Sequence, residues 1–525
     1  MSITVSEAGW RRPWVGRSWW PIGLWLAAAL TVALTDWFEG RALAALVIMC
    51  LLPGWAWLEA WSPRPTQLVW RVAMAAGLSL VLVSLGSLYL IYLGVPLTQW
   101  HLWGLCALIT LPNLLVSLGR RQPAIEWPDR STWPALLLIL LVAVSLRLPR
   151  LGYAEFHEDE VEVTSLAARV INGESYAVFL HRKGPLQMLV PLAGWLLAGR
   201  ITEAWARLPF AVASLLGVLL TAHLAGRYAG KAAMLTSGLV LALNGYLVAF
   251  WRMVQYQALV FLLVSVGVAC LWRWREDGDA RWSWPGLLCI SASLLAHYDA
   301  LVFLPVVAYL VWRIWMRWPE ARRSLLVSGL VAGGLCLSFY VPYLLDPQFQ
   351  HTGAYLADSR VGGAGLYNNL GLVWKLDATY ASRFYQPALV ALAAVALVWY
   401  RPRPRLWQAV MGVGALGMAI GLWRPAWLKI GSLSLACIPW LLLVAALAIG
   451  LSSRRWGATS HPVSVSRAMP SRDDHLAALL WWAGPALAYV FLVLDPRTHI
   501  YVLYPGAALM AGLGAAVLWQ QLRHL

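Results

Sequence analysis

The chain has 525 residues and a formal net charge of +16, but only 12% of its residues are charged and 60% are hydrophobic, giving a mean hydropathy of +0.65. A soluble domain carries about 25% charged residues, so composition excludes an ordinary soluble enzyme. The basic residues sit in short intervals between apolar runs, which argues against a nucleic-acid surface and for a membrane topology signal.

Apolar runs of about 17–25 residues match the hydrocarbon thickness of a bilayer. Arg11, Arg12 and Arg17 precede a first run with no clear cleavage site, so an uncleaved N-terminus is expected. In chain order, spans are predicted near 19–35, 41–60, 72–93, 100–118 and 133–148. A polar interval follows, then spans near 204–226, 231–249, 254–272, 283–297, 300–316 and 324–345. After a second polar interval, roughly 346–383, the last spans fall near 384–400, 406–423, 427–450, 476–494 and 500–520. This amounts to about 16 crossings. The expected fold is an all-α polytopic membrane protein.

With the N-terminus placed in the cytoplasm, the inside loops carry Arg64 and Arg71, Arg120, Arg121 and Arg130, Arg227 and Lys231, and the later arginine groups up to Arg454 and Arg455. That bias is the positive-inside pattern. Both long polar intervals then fall on the extracytoplasmic side, and the plasma or inner membrane is the expected location. Residues 184–198, broken by Pro185 and Pro191, are predicted to form a surface-lying or re-entrant helix. The pair 283–297 and 300–316 is predicted to be a hairpin with its tip at His297-Tyr298-Asp299. The stretch 452–475 reads as a flexible cytoplasmic loop. The 34 Trp include Trp19, Trp20, Trp251, Trp318 and Trp423 at predicted helix ends, where an aromatic belt would sit. None of the six Cys forms a CxxC pair, so helix packing is their expected role.

The first polar interval, LGYAEFHEDEVEVTSLAARVINGESYAVFLHRKGP, runs from Leu151 to Pro185. Glu158, Asp159, Glu160 and Glu162 crowd the start of a helix. One reading is N-terminal capping, favoured by the helix dipole. The other is a general base or cation site, since mutual repulsion raises a carboxyl pKa. Lys183 is either an interfacial anchor or a point charge for a lipid phosphate. An acid and a cation on one loop can deprotonate a hydroxyl and stabilise an anionic leaving group.

These segments resemble the first external loop and following helix of the GT-C membrane glycosyltransferases, closest to the protein O-mannosyltransferase and aminoarabinose-transferase group (glycosyltransferase 39-like). The matching residues are Asp159-Glu160, Arg169, Gly173, Tyr176, Lys183-Gly184-Pro185 and Arg207-Leu208-Pro209. In the tail THIYVLYPGAALMAGLG, Tyr501 and Pro505 match the family's final helix. The similarity spans roughly 130–525, dividing the chain into N-terminal extra helices (1–130) and a GT-C-like core (131–525). The resemblance implies a polyprenyl-phosphate-sugar donor, transfer with inversion to an extracytoplasmic lipid, glycan or protein, and Asp159 as catalytic carboxylate supported by Glu160. It also implies phosphate contacts from Lys183, Arg182, Arg252 and Arg383.

The sequence departs from the family at three places. Arg182 stands where relatives often have an acid, Gln255 and Gln257 where many have a carboxylate, and His297-Tyr298-Asp299 where relatives often carry a Lys. Those departures leave the donor sugar and any metal open. His297 and Asp299 are candidates for binding a divalent cation with Asp159 or Glu160, or for a hydrogen-bonded tip. Tyr176, His297, Asp299, Tyr355, Tyr367 and Tyr501 are candidates for substrate contacts, and Arg424, Lys429, Arg497 and His499 are candidates to ring the same cavity. The second interval, with Gly362-Gly363-Ala364-Gly365, reads as either a mobile lid or an ordered cap. Rival readings are a transporter or lipid-carrier flippase, which would carry midplane charges and paired repeats, and a scaffold without chemistry.

Overall fold

The computed structural model describes residues 14–15, 19–61, 66–120, 122–123, 125–363, 365–399, 405–453 and 472–523. Among them the architecture is helical. The strands are two-residue pairs: Trp14–Val15 with Gln122–Pro123, and Lys429–Ile430 with Leu433–Ser434, both antiparallel. Helices dominate because backbone amides in hydrocarbon must be satisfied within their own segment. Among the described residues, nine helices are long and apolar enough to cross a membrane, or ten if one bent pair is a single span. The protein is an all-α, polytopic membrane protein.

Burial sorts these helices into layers. Tyr256–Asp277 and Arg497–Leu522 are innermost, with 94% of their apolar windows buried, whereas Pro319–Leu345 buries 22%. Pro319–Leu345 and Gln99–Leu118 point leucines such as Leu330 and Leu108 outward. A wide outward apolar surface on long helices is what lipid, as solvent, permits.

Several expectations change. The count of about 16 crossings overstates the long helices, because Trp20–Leu34, Trp133–Arg147, Ser283–Ala296, Tyr385–Val395, Trp407–Trp423 and Cys437–Ile449 are shorter than a full span as described. Leu186–Ala198, expected to be surface-lying or re-entrant, is covered by protein on nearly every side. All but one of its side chains are buried, packed against Phe38–Cys50, Leu68–Tyr92, Glu158–Ile171 and Glu203–Ala229. Its apolar sequence seeks protein rather than the interface. Trp251 does not belong to a belt: it is fully buried, stacked on Phe261 at 4.4 Å. Trp19, Trp20 and Trp423 are exposed. Five cysteines are buried and Cys336 is half-buried, all unbridged. The expected flexible stretch lies largely outside the described residues.

The helix pair Lys231–Leu243 and Gly245–Trp251 bends by 63°. Asn244 makes the break tolerable by capping the second helix, its Oδ1 accepting the Leu247 N–H at 2.9 Å. Buried Arg147 donates to the carbonyls of Ala242 and Leu241 at 2.9 Å each, satisfying groups the break would orphan. Arg71 pairs with Glu59 at 3.4 Å and Arg227 with Glu276 at 2.9 Å, so two arginines of the predicted inside loops have acidic partners.

Candidate functional site

The helix Glu158–Ile171 begins with a capping box. The Asp159 N–H donates to His157 Nδ1 at 3.3 Å, and the His157 N–H donates to Glu160 Oε2 at 3.0 Å. The box explains why four acids adjoin without being equivalent. Glu160 turns inward and is fully buried, while Glu158, Asp159 and Glu162 remain exposed.

Arg207, from the Arg-Leu-Pro element, meets Glu160 side-on, with Nε–Oε1 at 2.9 Å and Nη2–Oε2 at 2.7 Å. Its remaining donors go to the carbonyls of Leu151, Ala154 and Glu155 at 2.7 to 2.9 Å. Glu160 Oε1 also accepts the Val254 N–H at 2.8 Å. Burial works against the Glu160 charge, but Arg207 and the two backbone amides hold its carboxyl below the usual glutamate range. Glu160 is therefore an anchor for the loop that presents Asp159, and its oxygens are occupied.

The turn carrying Lys183 is held from below. Buried His181 places Nε2 3.3 Å from Gln187 Oε1, and Gln187 Nε2 donates to the Val254 carbonyl at 3.0 Å. Burial, and then the Lys183 charge, push the His181 imidazole down to about 3, so it is neutral. Gly184 permits a close approach: a Cβ there would lie 1.8 Å from the Leu295 carbonyl oxygen. The turn thus presses onto the end of the helix Ser283–Ala296, just before the predicted hairpin tip.

Lys183 is half-buried, its Nζ 4.9 Å from the Tyr256 ring centroid. Among the described residues it makes no hydrogen bond or ion pair. Burial lowers its pKa from the usual 10.5, against the attraction of Glu162, Asp159 and Asp299, while Arg360 adds repulsion. Those couplings place Asp159 and Lys183 in one electrostatic neighbourhood.

Beneath Lys183 lies a polar cluster that the sequence showed only in part. His297 stacks on Tyr256 with centroids 3.6 Å apart. Asp299 Oδ1 lies 2.9 Å from His297 Nδ1, and its Oδ2 lies 2.8 Å from His499 Nδ1. Tyr489 donates its hydroxyl to Asp299 Oδ1. His297, Asp299 and His499 are all buried. The sequence offers His499 only as a residue that could ring the cavity, and nothing in it marks Tyr256 or Tyr489. Tyrosines inside apolar spans carry no periodicity that marks them as polar contacts.

The other candidates scatter. Arg182 is exposed beside Lys183. Arg252 donates to the Pro149 carbonyl. Exposed Arg383 lies over its neighbour Phe384, centroid distance 4.9 Å. Tyr176 donates to Asp346 at 2.9 Å, and Tyr367 donates to the Val361 carbonyl at 2.8 Å. Tyr355 lies under Arg360 at 5.3 Å, and buried Tyr501 packs edge-on to Tyr256 at 6.1 Å. Arg360 donates to the Asp495 carbonyl at 2.7 Å, joining the second interval to the segment that carries His499. Cation binding by His297 and Asp299 with Asp159 or Glu160 does not match the structure, because Asp159 is exposed and Glu160 is committed to Arg207.

An apolar cavity of about 540 Å³ adjoins this region, lined by Trp374, Met418, Trp440, Trp482, Phe491 and Tyr504 among others. Phe491 and Tyr504 flank in sequence the segments bearing Tyr489 and His499.

Fold and site together define a polytopic, all-helical membrane protein that sets an exposed carboxylate near a half-buried lysine, above a buried His-Asp-His cluster. No protein-family model matches the chain, and no curated protein matches it. Among solved structures it is similar to ArnT from Cupriavidus metallidurans bound to undecaprenyl phosphate, at 18% identity over 75% of this chain and 79% of that one, with a TM-score of 0.39.

Proposed function

We propose that the protein is an integral-membrane glycosyltransferase of the GT-C type, moving a sugar from a polyprenyl-phosphate donor to an extracytoplasmic acceptor with inversion. The observation that carries this reading is Lys183. It is a half-buried ammonium without an ion-pair partner among the described residues, held over Tyr256 and close enough to Asp159 and Glu162 to feel both. A desolvated cation with no fixed anion suits a ligand that brings its own negative charge.

In this reading Asp159 accepts the proton of an acceptor hydroxyl as its oxygen attacks the anomeric carbon. The bond from that carbon to the phosphate oxygen breaks, and the polyprenyl phosphate leaves with the electron pair. Lys183, with Arg182 and Arg360, stabilises the phosphate. Glu160 and Arg207 keep Asp159 at the helix start rather than joining in proton transfer. The sequence resemblance supports these roles for Asp159 and Lys183. The apolar cavity offers a dry wall for isoprene units beside the polar cluster.

The test is transfer by purified protein in detergent or nanodiscs. Radiolabelled polyprenyl-phosphate sugars are supplied with a membrane extract, and products are identified by mass spectrometry. Labelled acceptor with stoichiometric release of polyprenyl phosphate supports the reading. Movement of intact donor across vesicles without transfer would assign the protein to lipid transport instead.

A further inference from the structure

We propose that His297, Asp299 and His499 bind a divalent transition-metal ion of the zinc class, a site independent of whether the glycosyltransferase reading holds. Their ligating atoms lie within 4.8 Å of one another and all three residues are buried. Two imidazoles and a carboxylate form a nitrogen and oxygen set suited to zinc and its neighbours. Three protein ligands leave one tetrahedral position for water or a substrate oxygen.

Hydrogen bonding leaves one close contact between two acceptors in the cluster. His297 Nδ1 accepts the Asp299 backbone N–H at 3.0 Å, so that nitrogen presents a lone pair. The same nitrogen lies 2.9 Å from Asp299 Oδ1, itself an acceptor. Two electron pairs at that separation repel unless a proton or a metal ion lies between them. His499 Nδ1 faces both carboxylate oxygens, 2.9 Å from Oδ1 and 2.8 Å from Oδ2. His297 Nε2, on the same ring, is buried without any partner. A cation between that nitrogen and the carboxylate, taking the place of the backbone N–H contact, removes the acceptor conflict.

The surroundings fit a held ion. Tyr489 donates to Asp299 and fixes its orientation, and the Tyr256 hydroxyl lies 3.1 Å from His499 Nδ1. Such outer partners tune ligand geometry and affinity. An ion here would clamp the hairpin tip to the Arg497–Leu503 segment, under Lys183. Its charge would add to that of Lys183 in drawing an anion to this end of the bundle.

The experiment uses the full chain purified in detergent without chelator, and measures metal by mass spectrometry. About one zinc per chain is expected, three protein ligands being enough to retain it. After chelator stripping, Zn²⁺ titration should raise the thermal midpoint, and Co²⁺ should give the visible absorption of a four-coordinate nitrogen and oxygen site. His499→Gln and Asp299→Asn should each weaken Zn²⁺ binding by about 10- to 100-fold or more. Wild-type protein that takes up no stoichiometric Zn²⁺ or Co²⁺ overturns the proposal, as does binding undiminished in both variants. Should the variants not fold, the wild-type Co²⁺ spectrum decides alone, and its absence overturns the site.

Discussion

Glu160 and Arg207 form a bidentate pair, 2.9 and 2.7 Å between heavy atoms, in which the carboxylate is fully buried and the guanidinium closes a loop 47 residues away. The pair folds Leu151–Glu155 over the helix start and leaves Asp159 outside. Breaking it by Glu160→Gln or Arg207→Met strands a buried charge or donor set, which typically costs about 3–5 kcal/mol. Thermal unfolding in detergent should show a large drop for either variant. Because the folded Glu160 pKa is lowered, its contribution is complete above the unfolded value of 4.5 and is lost as pH falls through the folded value. The wild type should therefore lose stability on acidification below 4.5 more steeply than Glu160→Gln.

Asp159 is the contrasting case, exposed on the same turn. Asp159→Asn should lower transfer by about 10²-fold or more if it is the general base. The unfolding midpoint should stay near that of wild type, since only its backbone N–H is used in the cap. Turnover that survives in Asp159→Asn would move the base to another acid, Glu162 first.

Lys183 titrates below the usual 10.5 because burial disfavours its charge. The folded state then binds that proton more weakly than the unfolded chain, so stability rises with pH between the folded value and 10.5. Donor affinity should move the opposite way, weakening as pH rises through the folded pKa. Lys183→Arg keeps the charge at all accessible pH, and should abolish that alkaline limb while leaving some binding. A limb identical in Lys183→Arg would assign it to a different group.

Gly184→Ala tests the seam between the lysine turn and the hairpin. Its Cβ would meet the Leu295 carbonyl oxygen at 1.8 Å, a contact only backbone movement relieves. A destabilisation of about 1–3 kcal/mol is expected, as for overpacking elsewhere, together with impaired donor binding because Lys183 shifts. A variant with wild-type stability would mean the turn can lift away freely.

Membrane class, helical content and the polar interval from Leu151 to Pro185 were legible in the chain, because hydrophobic length and local charge are local properties. The helix from Glu158, its capped start and the hairpin tip at His297 to Asp299 appear where sequence placed them. The burial of Leu186–Ala198 was not legible: an apolar segment broken by proline reads alike whether it faces lipid or protein. Likewise Trp251 sits at a helix end, yet only packing on Phe261 sends it inward.

By itself, then, the sequence determined that this protein is a helical membrane bundle with an acidic loop and a lysine turn, since desolvating a backbone in hydrocarbon leaves few alternatives. The tertiary structure decided which carboxylate is free. Of two adjacent acids, one is consumed by an arginine 47 positions away. It also brought His499 to Asp299 across 200 residues of chain. Contacts at such separations depend on how helices pack, and no local spacing encodes that.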